Sequence, residues 1–243
     1  MRYKELTFEG RNAVIEAFRS GKTIDKLFIL DGCQDGPIKS IVREAKKTST
    51  IINYVDKERL DRLANTGHHQ GVVAAYEYAE VEDILEAARS KGEAPFIFVL
   101  DEIEDPHNLG AIIRTANLAG AHGVIIPKRR AVGLTATVAK TSAGAINYTP
   151  VAKVTNIANT IEALKKEGLW FVCADMGGET MYNLDLKGPI GLVIGNEGNG
   201  VSRLVKEKCD FVASIPMKGD IDSLNASVAA GVMAFEIVRQ RMV

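Results

Sequence analysis

Three segments in the back half of the chain hold side chains able to do chemistry. The first, DEIEDPHNLGAIIRTANLAG (residues 101–120), places Asn108 and Arg114 six positions apart, with His107 beside the asparagine as a group that could stack or hydrogen-bond. At 100° per residue these two do not share a helix face. Spacing alone makes them a capping-region amide and a surface guanidinium. The second, VIGNEGNGV (residues 193–201), sets Gly195, Gly198 and Gly200 around Glu197. A phosphate loop of the Walker type needs Lys and Ser/Thr after its glycines, whereas Val201 and Ser202 follow Gly200. The dinucleotide fingerprint spaces its glycines differently and opens the first strand–helix unit. A carboxylate among backbone amides repels phosphate, so this loop suits a cationic or hydroxyl-bearing ligand, or else it is a turn with an exposed acid. The third, IPMKGDIDSLNASVAAG (residues 215–231), ends a strand at Ile215, Pro216 and Met217, then crowds Ser223, Asn225 and Ser227 into a helix start. One of these polar residues suffices for an N-cap; three point to a polar site.

These segments need a scaffold, and the sequence outlines one. Hydrophobic residues make up 46% and charged residues 25% of the 243, an ordinary globular composition. No apolar run approaches a membrane span, and MRYKELTFEGRNAV has no signal-peptide core. Cys33, Cys173 and Cys209 are odd in number and lack metal spacing, as do His68 and His69; this suits a reducing cytoplasm and no metal site. The net charge of −1 is unevenly spread. Residues 1–75 carry 13 Lys/Arg against 10 Asp/Glu, residues 76–93 carry 2 against 6, and residues 94–243 carry 15 of each. We place an α/β substrate-binding domain at 1–75, an acidic linker with a short solvated helix at 76–93, and a larger α/β domain at 94–243.

In the front part, helices are expected at 9–19, 37–47 and 57–63, with strands in KLFIL, TIINYV and GVVAAY. In the back part, PFIFVL, GVIIP, LWFVCAD, GLVIG and FVASIP are short continuous apolar strands between helical patterns, which predicts a parallel sheet covered on both faces. Asp105 and Pro106 form a cap and a first-turn proline for a helix whose stripe is Leu109, Ile112, Ile113 and Ala116. The last helix, from about Asp222 to Arg241, is apolar nearly all round; it is either buried or packed against a second subunit. In such sheets ligands bind outside the carboxyl ends of the strands, where all three segments fall.

Together the segments resemble the SpoU, or TrmH, family of RNA ribose 2′-O-methyltransferases: NLGAIIR, IGNEGNGVS and IPMKGDIDSLNASVA match its three motifs in order, across about residues 94–243. EGRNAVIEAF and TGHHQGVVA resemble the family's RNA-binding domain. PKRRAVGLTATVAKTSAGA is similar to the RlmB-like subgroup acting on a guanosine of 23S ribosomal RNA. The resemblance implies a parallel-sheet domain whose C-terminal segment threads a deep trefoil knot, a rarity among folds, and a homodimer built through that domain. It implies S-adenosyl-L-methionine as methyl donor, held by Gly195, Asn196, Gly198, Ile215 and Leu224, with Pro216 and Met217 walling the adenine. Glu197, Ser223 and Asn225 would line the reacting centre, and Asn108 and Arg114 would face the RNA. Arg114 is the family's proposed base. A guanidinium has an ordinary pKa of about 12.5 or higher, so the alternative is a charged Arg114 fixing a phosphate. Lys128, Arg129 and Arg130, joined by Lys140 and, in the front domain, Arg11 and Asn12, are expected to contact RNA. A transfer RNA target, a non-catalytic ribosome-assembly protein of the same fold and a nucleotide-dependent oxidoreductase are the competing readings; intact Asn108, Arg114, Glu197 and Asn225 oppose the second, and the missing fingerprint opposes the third.

Overall fold

The computed structural model describes residues 7–19, 24–48, 50–64, 66–76, 78–220 and 223–242. They divide into two compact units, residues 1–78 with 133–136, and residues 79–132 with 137–243. Among the described residues no helix is long and apolar enough to cross a membrane.

The first unit runs β1 (Thr7–Glu9), α1 (Arg11–Arg19), β2 (Ile24–Leu30), α2 (Gly36–Lys47), β3 (Ile51–Val55), α3 (Lys57–Leu63) and β4 (Val72–Tyr76). Its sheet has the order β1-β4-β2-β3, with only the β2–β3 pair parallel. The two-residue period of β2 sorts its side chains: Leu27 and Ile29 meet Val14 and Phe18 of α1 and Ile38 and Ile41 of α2, while Phe28 joins Leu60 of α3 and Val73 on the other face. Strand β1 was not foreseen; three residues, TFE, carry too little pattern to register.

The second unit contains α4 (Val81–Ser90), β5 (Phe96–Asp101), α5 (Pro106–Leu118), β6 (Gly123–Pro127), α6 (Ala136–Thr141), β7 (Val151–Val154), α7 (Ile157–Lys166), β8 (Trp170–Thr180), β9 (Ile190–Gly195), α8 (Arg203–Lys206), β10 (Phe211–Ser214) and α9 (Ala226–Arg241). All five pairings in the sheet, ordered β10-β8-β9-β5-β6-β7, are parallel. Every residue of β5 and β6 is buried, as continuous apolar strands require. The chain leaves β5 toward β7, crosses to β8 on the far side, and returns to place β9 beside β5. That reversal is a topological switch point, where a crevice opens above the strand ends.

Two expectations need correction. The helix at 81–90 is not solvated: Ile84 and Leu85 of α4 pack with Ile97, Ile125 and Phe171 in the core of the second unit. The last helix starts later than expected. Asp222 lies outside the described residues, and α9 begins at Ala226 because Asn225 caps it, its side chain accepting from the Ser227 N–H. At the other end of α9, Arg241 donates to the Ala94, Pro95 and Gly188 carbonyls and sits over the Phe96 ring, anchoring the helix to the starts of β5 and β9.

Candidate active site

One wall of a cavity at the carboxyl end of the sheet comes from a break in strand pairing. Between Val212 and Ala213 of β10 the partner in β8 jumps from Cys173 to Glu179, so residues 174–178 are left out of the ladder. A side chain at Gly178 would lie 2.3 Å from the Val212 carbonyl oxygen, so only glycine lets the strand return to its partner. The extruded Ala174, Asp175 and Met176 line the cavity. Burial pushes the Asp175 carboxyl up, but the Lys206 ammonium at 3.0 Å and the Gly177 N–H at 3.1 Å outweigh it and hold the group below its usual range.

A second wall is the loop after β9. Asn196 and Gly200 exchange backbone hydrogen bonds of 3.1 and 2.8 Å, which closes the loop tightly. Gly200 has φ +66°, and a Cβ on Gly195 would lie 2.2 Å from the Gly200 carbonyl carbon, so both positions demand glycine. Asn196 braces the turn from inside, donating to the Glu102 carbonyl and accepting from the Gly198 N–H. Asp101, buried where β5 ends, accepts from the Ser202 N–H at 2.7 Å and fixes the loop's far end. Glu197 is thereby held at the tip, facing the cavity.

Three segments then meet through side chains. Asn108 Nδ2 donates to Glu197 Oε1, Asn225 Nδ2 donates to Asn108 Oδ1 at 3.0 Å, and Asn225 Oδ1 accepts from the Ser227 N–H at 2.9 Å and the Ser227 hydroxyl at 2.6 Å. A carboxylate only accepts and a backbone N–H only donates, so the two ends fix the orientation of both amides between them. Asn108, in the first turn of α5, is only 7% exposed. Its partners are 89 and 117 residues away, which is why helix spacing made it look ordinary.

The cavity is about 390 Å³, within the roughly 300–1,000 Å³ of small-molecule sites. Of the expected donor-binding residues, Gly195, Asn196, Gly198, Ile215, Met217 and Leu224 line it, as do Glu197 and Ser223. Pro216 does not; it is exposed between two lining residues, since alternate side chains of an extended segment point opposite ways. An S-adenosylmethionine molecule fits these surroundings: Ala213, Ile215, Met217, Leu224, Ala226 and Ala229 offer an apolar side, and Glu197 and Asp175 suit its positive charge. Asp175 and Asp101 were missed from the sequence, although an acid ending an apolar strand, as in FIFVLD and WFVCAD, was the available signal.

The other expected residues lie elsewhere. Arg114 is exposed on α5 outside the cavity lining, and His107 is exposed with its N–H on the Asp105 cap. Lys128, Arg129 and Lys140 are exposed; Arg130 is paired with Glu102 at 3.0 Å. In the first unit Asn12 is exposed, while the Arg11 guanidinium is bound to Asp35 at 2.5 Å and to the Gln70 carbonyl at 3.1 Å. Among the cysteines, Cys209 is pushed far above the ordinary thiol range by Cys173 beside it and by burial, so it stays a neutral packing group.

Comparison with known proteins places this geometry. Residues 95–235 match the family described as SpoU rRNA Methylase family, and residues 8–82 match RNA 2′-O ribose methyltransferase substrate binding. A relative from Bacillus subtilis, a putative TrmH family tRNA/rRNA methyltransferase, is 52% identical over 96% of this chain and 94% of its own. The structure of an AdoMet-bound rRNA methyltransferase from Sinorhizobium meliloti is similar over 96% of this chain and 86% of that one, with 26% identity and a TM-score of 0.67. That of a TrmH/SpoU tRNA modifying enzyme from A. aeolicus is similar over 66% of this chain and 84% of that one, with 28% identity and a TM-score of 0.56.

The amide relay makes a prediction independent of any ligand. Asn108→Asp sets a second carboxyl against Glu197, and two touching carboxylates cannot both ionise freely. The pair's raised folded-state pKa gives stability that is present below the unfolded value and lost as pH rises through the folded one. The variant should therefore be nearly as stable as the parent near pH 4 and less stable near pH 8 by about 2 kcal/mol, read as a lower melting temperature. An equal deficit at both pH values contradicts the contact.

Proposed function

The chain belongs to the SpoU rRNA methylase family, and from that premise we propose that it transfers the methyl group of S-adenosylmethionine to a ribose 2′-hydroxyl of structured RNA. The observation that carries the reading is the cavity in which the Gly195–Gly200 loop, the extruded residues Ala174, Asp175 and Met176, and Ile215, Met217, Ser223 and Leu224 converge around Glu197. When bound, the donor supplies an electrophilic methyl carbon on a cationic sulfur. The protein's part is placement, bringing a hydroxyl in line with that carbon. Glu197 faces a charge that vanishes on transfer, so a full ion pair would favour the ground state. The hydrogen bond from Asn108 tempers the carboxylate while keeping it oriented. Gly195, Ile215 and Leu224 offer backbone to the donor, Met217 covers its ring, and Ser223 and Asn225 border the acceptor side.

Arg114 is read as a phosphate clamp. Nothing buries it, and an exposed guanidinium is a multiple hydrogen-bond donor rather than a base. Lys128, Arg129 and Lys140 are exposed and, among the described residues, have no ion-pair partner, so they can follow the RNA backbone. The target we favour is a guanosine of 23S ribosomal RNA. The similarity of the 127–145 segment to that subgroup supports it, and so does the contrast in coverage: the ribosomal neighbour spans both units, the transfer RNA neighbour about two thirds of the chain. Transfer RNA is the second reading, because the relatives' names include it. Membership of the family supports a threaded C-terminal segment of its knotted kind. A second copy of the chain is assigned to the apolar outer face of α9, where Val228, Val232 and Phe235 are 49%, 36% and 49% exposed. A cytoplasmic place of action agrees with the substrate and with three free cysteines.

Mapping ribose methylation in ribosomal and transfer RNA, with and without the gene, tests the function. One 23S guanosine should lose its 2′-O-methyl group and regain it from the parent protein but not from Arg114→Ala. Unchanged maps of both RNA classes contradict the proposal. The clamp has its own readout: the rate of Arg114→Lys should not rise between about pH 9 and 11 but fall as the ammonium loses its charge near the ordinary lysine pKa of about 10.4, whereas a rate rising through that pKa would make residue 114 a base.

A further inference from the structure

We propose that the outer face of α2 is a binding site for the phosphate backbone of the substrate RNA. The inference rests on the reading that the chain acts on RNA, and it places a second contact surface in the first unit.

Lys39, Arg43 and Lys46 recur at i, i+4 and i+7, which puts them on one face of the helix. The opposite face, Ile38, Ile41 and Ala45, is buried in the core. With Val42 and Lys47 the three cations line a shallow groove of about 470 Å³. Lys39 and Lys46 are exposed, and their ammonium groups make no hydrogen bond or ion pair among the described residues. Arg43 is 72% exposed and reaches Glu44 only at 3.7 Å. Glu44 is instead engaged by Lys47 at 2.9 Å, and the Lys47 ammonium keeps its carboxyl below the usual range.

Three other cations of this unit are already used. Arg11 holds Asp35, Lys57 holds Asp61, and the Arg62 guanidinium donates to the Glu58 carbonyl. Helix α2 has four cations against the single acid Glu44, a surplus of three, which equals the whole surplus of residues 1–75. Helix stability does not account for this placement. Lys46 and Lys47 in the last turn suit the helix dipole, but Lys39 lies in the first turn, where a cation opposes it. A polyanion laid along the face accounts for all three, and a shallow groove with an apolar floor at Val42 admits a sugar–phosphate strand better than a compact anion. Arg11 contributes indirectly. It grips Asp35, whose other oxygen caps α2 through the Ile38 N–H, so Arg11 is a positioning residue for this face.

The test measures binding of the full-length protein to a large-subunit ribosomal RNA transcript by filter retention over about 50–200 mM salt. The parent is compared with the triple variant Lys39→Gln, Arg43→Gln, Lys46→Gln and with a control removing three cations of α3, Lys57→Gln, Arg59→Gln, Arg62→Gln. The α2 variant should lower the slope of log affinity against log salt by about 2–3 and weaken binding roughly ten-fold at 0.15 M. Donor affinity by calorimetry, and methylation rate at saturating RNA, should stay within about two-fold of the parent. An unchanged slope in the α2 variant overturns the assignment while leaving the enzymatic reading intact. An equal fall in both variants overturns it too, because net charge and not this face would then be responsible. A parent protein that binds no RNA at any salt defeats the enzymatic reading together with this one.

Discussion

The hydrogen-bonded line Glu197–Asn108–Asn225–Ser227 is the constraint on which the site depends. It joins the loop after β9, the first turn of α5 and the cap of α9, three places that no local structure would bring together. Its polarity is set at both ends, by a carboxylate that can only accept and an N–H that can only donate. Each amide therefore has one orientation. A half-buried polar chain of this kind is costly when incomplete and rigid when complete, so it holds Glu197 at a fixed point of the cavity rim before any ligand arrives. Preorganisation of this sort is what a reaction limited by placement of two groups needs.

The sheet makes the line possible. Six parallel strands with buried faces fix where their carboxyl ends lie, and the return of β9 beside β5 puts Asp101 next to Gly195 in register. Asp101 then holds Ser202, Asn196 holds the Glu102 carbonyl, and the glycine loop has no freedom left except at its tip. The opposite wall uses a different device. Segment 174–178 leaves the ladder, and its Asp175 is kept ionised by Lys206. One side of the cavity is shaped by what a regular sheet dictates, the other by where the sheet is interrupted.

The sequence reveals local features well and long-range ones poorly. Asp105 with Pro106 marks the start of α5, and Leu109, Ile112, Ile113 and Ala116 are fully buried as the helical period requires. The apolar runs of β5, β6 and β9 are legible because strands buried on both faces tolerate little else. Short or edge strands were not: β1 has three residues, and β7, VAKV, lies at the sheet edge with a lysine in it. The extrusion in β8 depends on how β10 pairs, which no periodicity within β8 encodes. Spacing made Asn108 a capping residue; only the likeness of all three motifs to one family placed it with Glu197 and Asn225. The same locality explains Pro216, assigned to the cavity with its neighbours although its side chain leaves the lining, and Arg11, whose partners Asp35 and Gln70 are far along the chain.

The central claim is that the three segments act on the donor as one coupled unit through the amide line. A double-mutant cycle on S-adenosylmethionine affinity, measured by calorimetry for Asn108→Ala, Asn225→Ala and the pair, addresses it directly. Coupling predicts that the double variant loses little more affinity than the worse single one, an interaction energy of about 1 kcal/mol or more. Losses that add to within about 0.3 kcal/mol would mean that the two asparagines act independently, and would contradict the account.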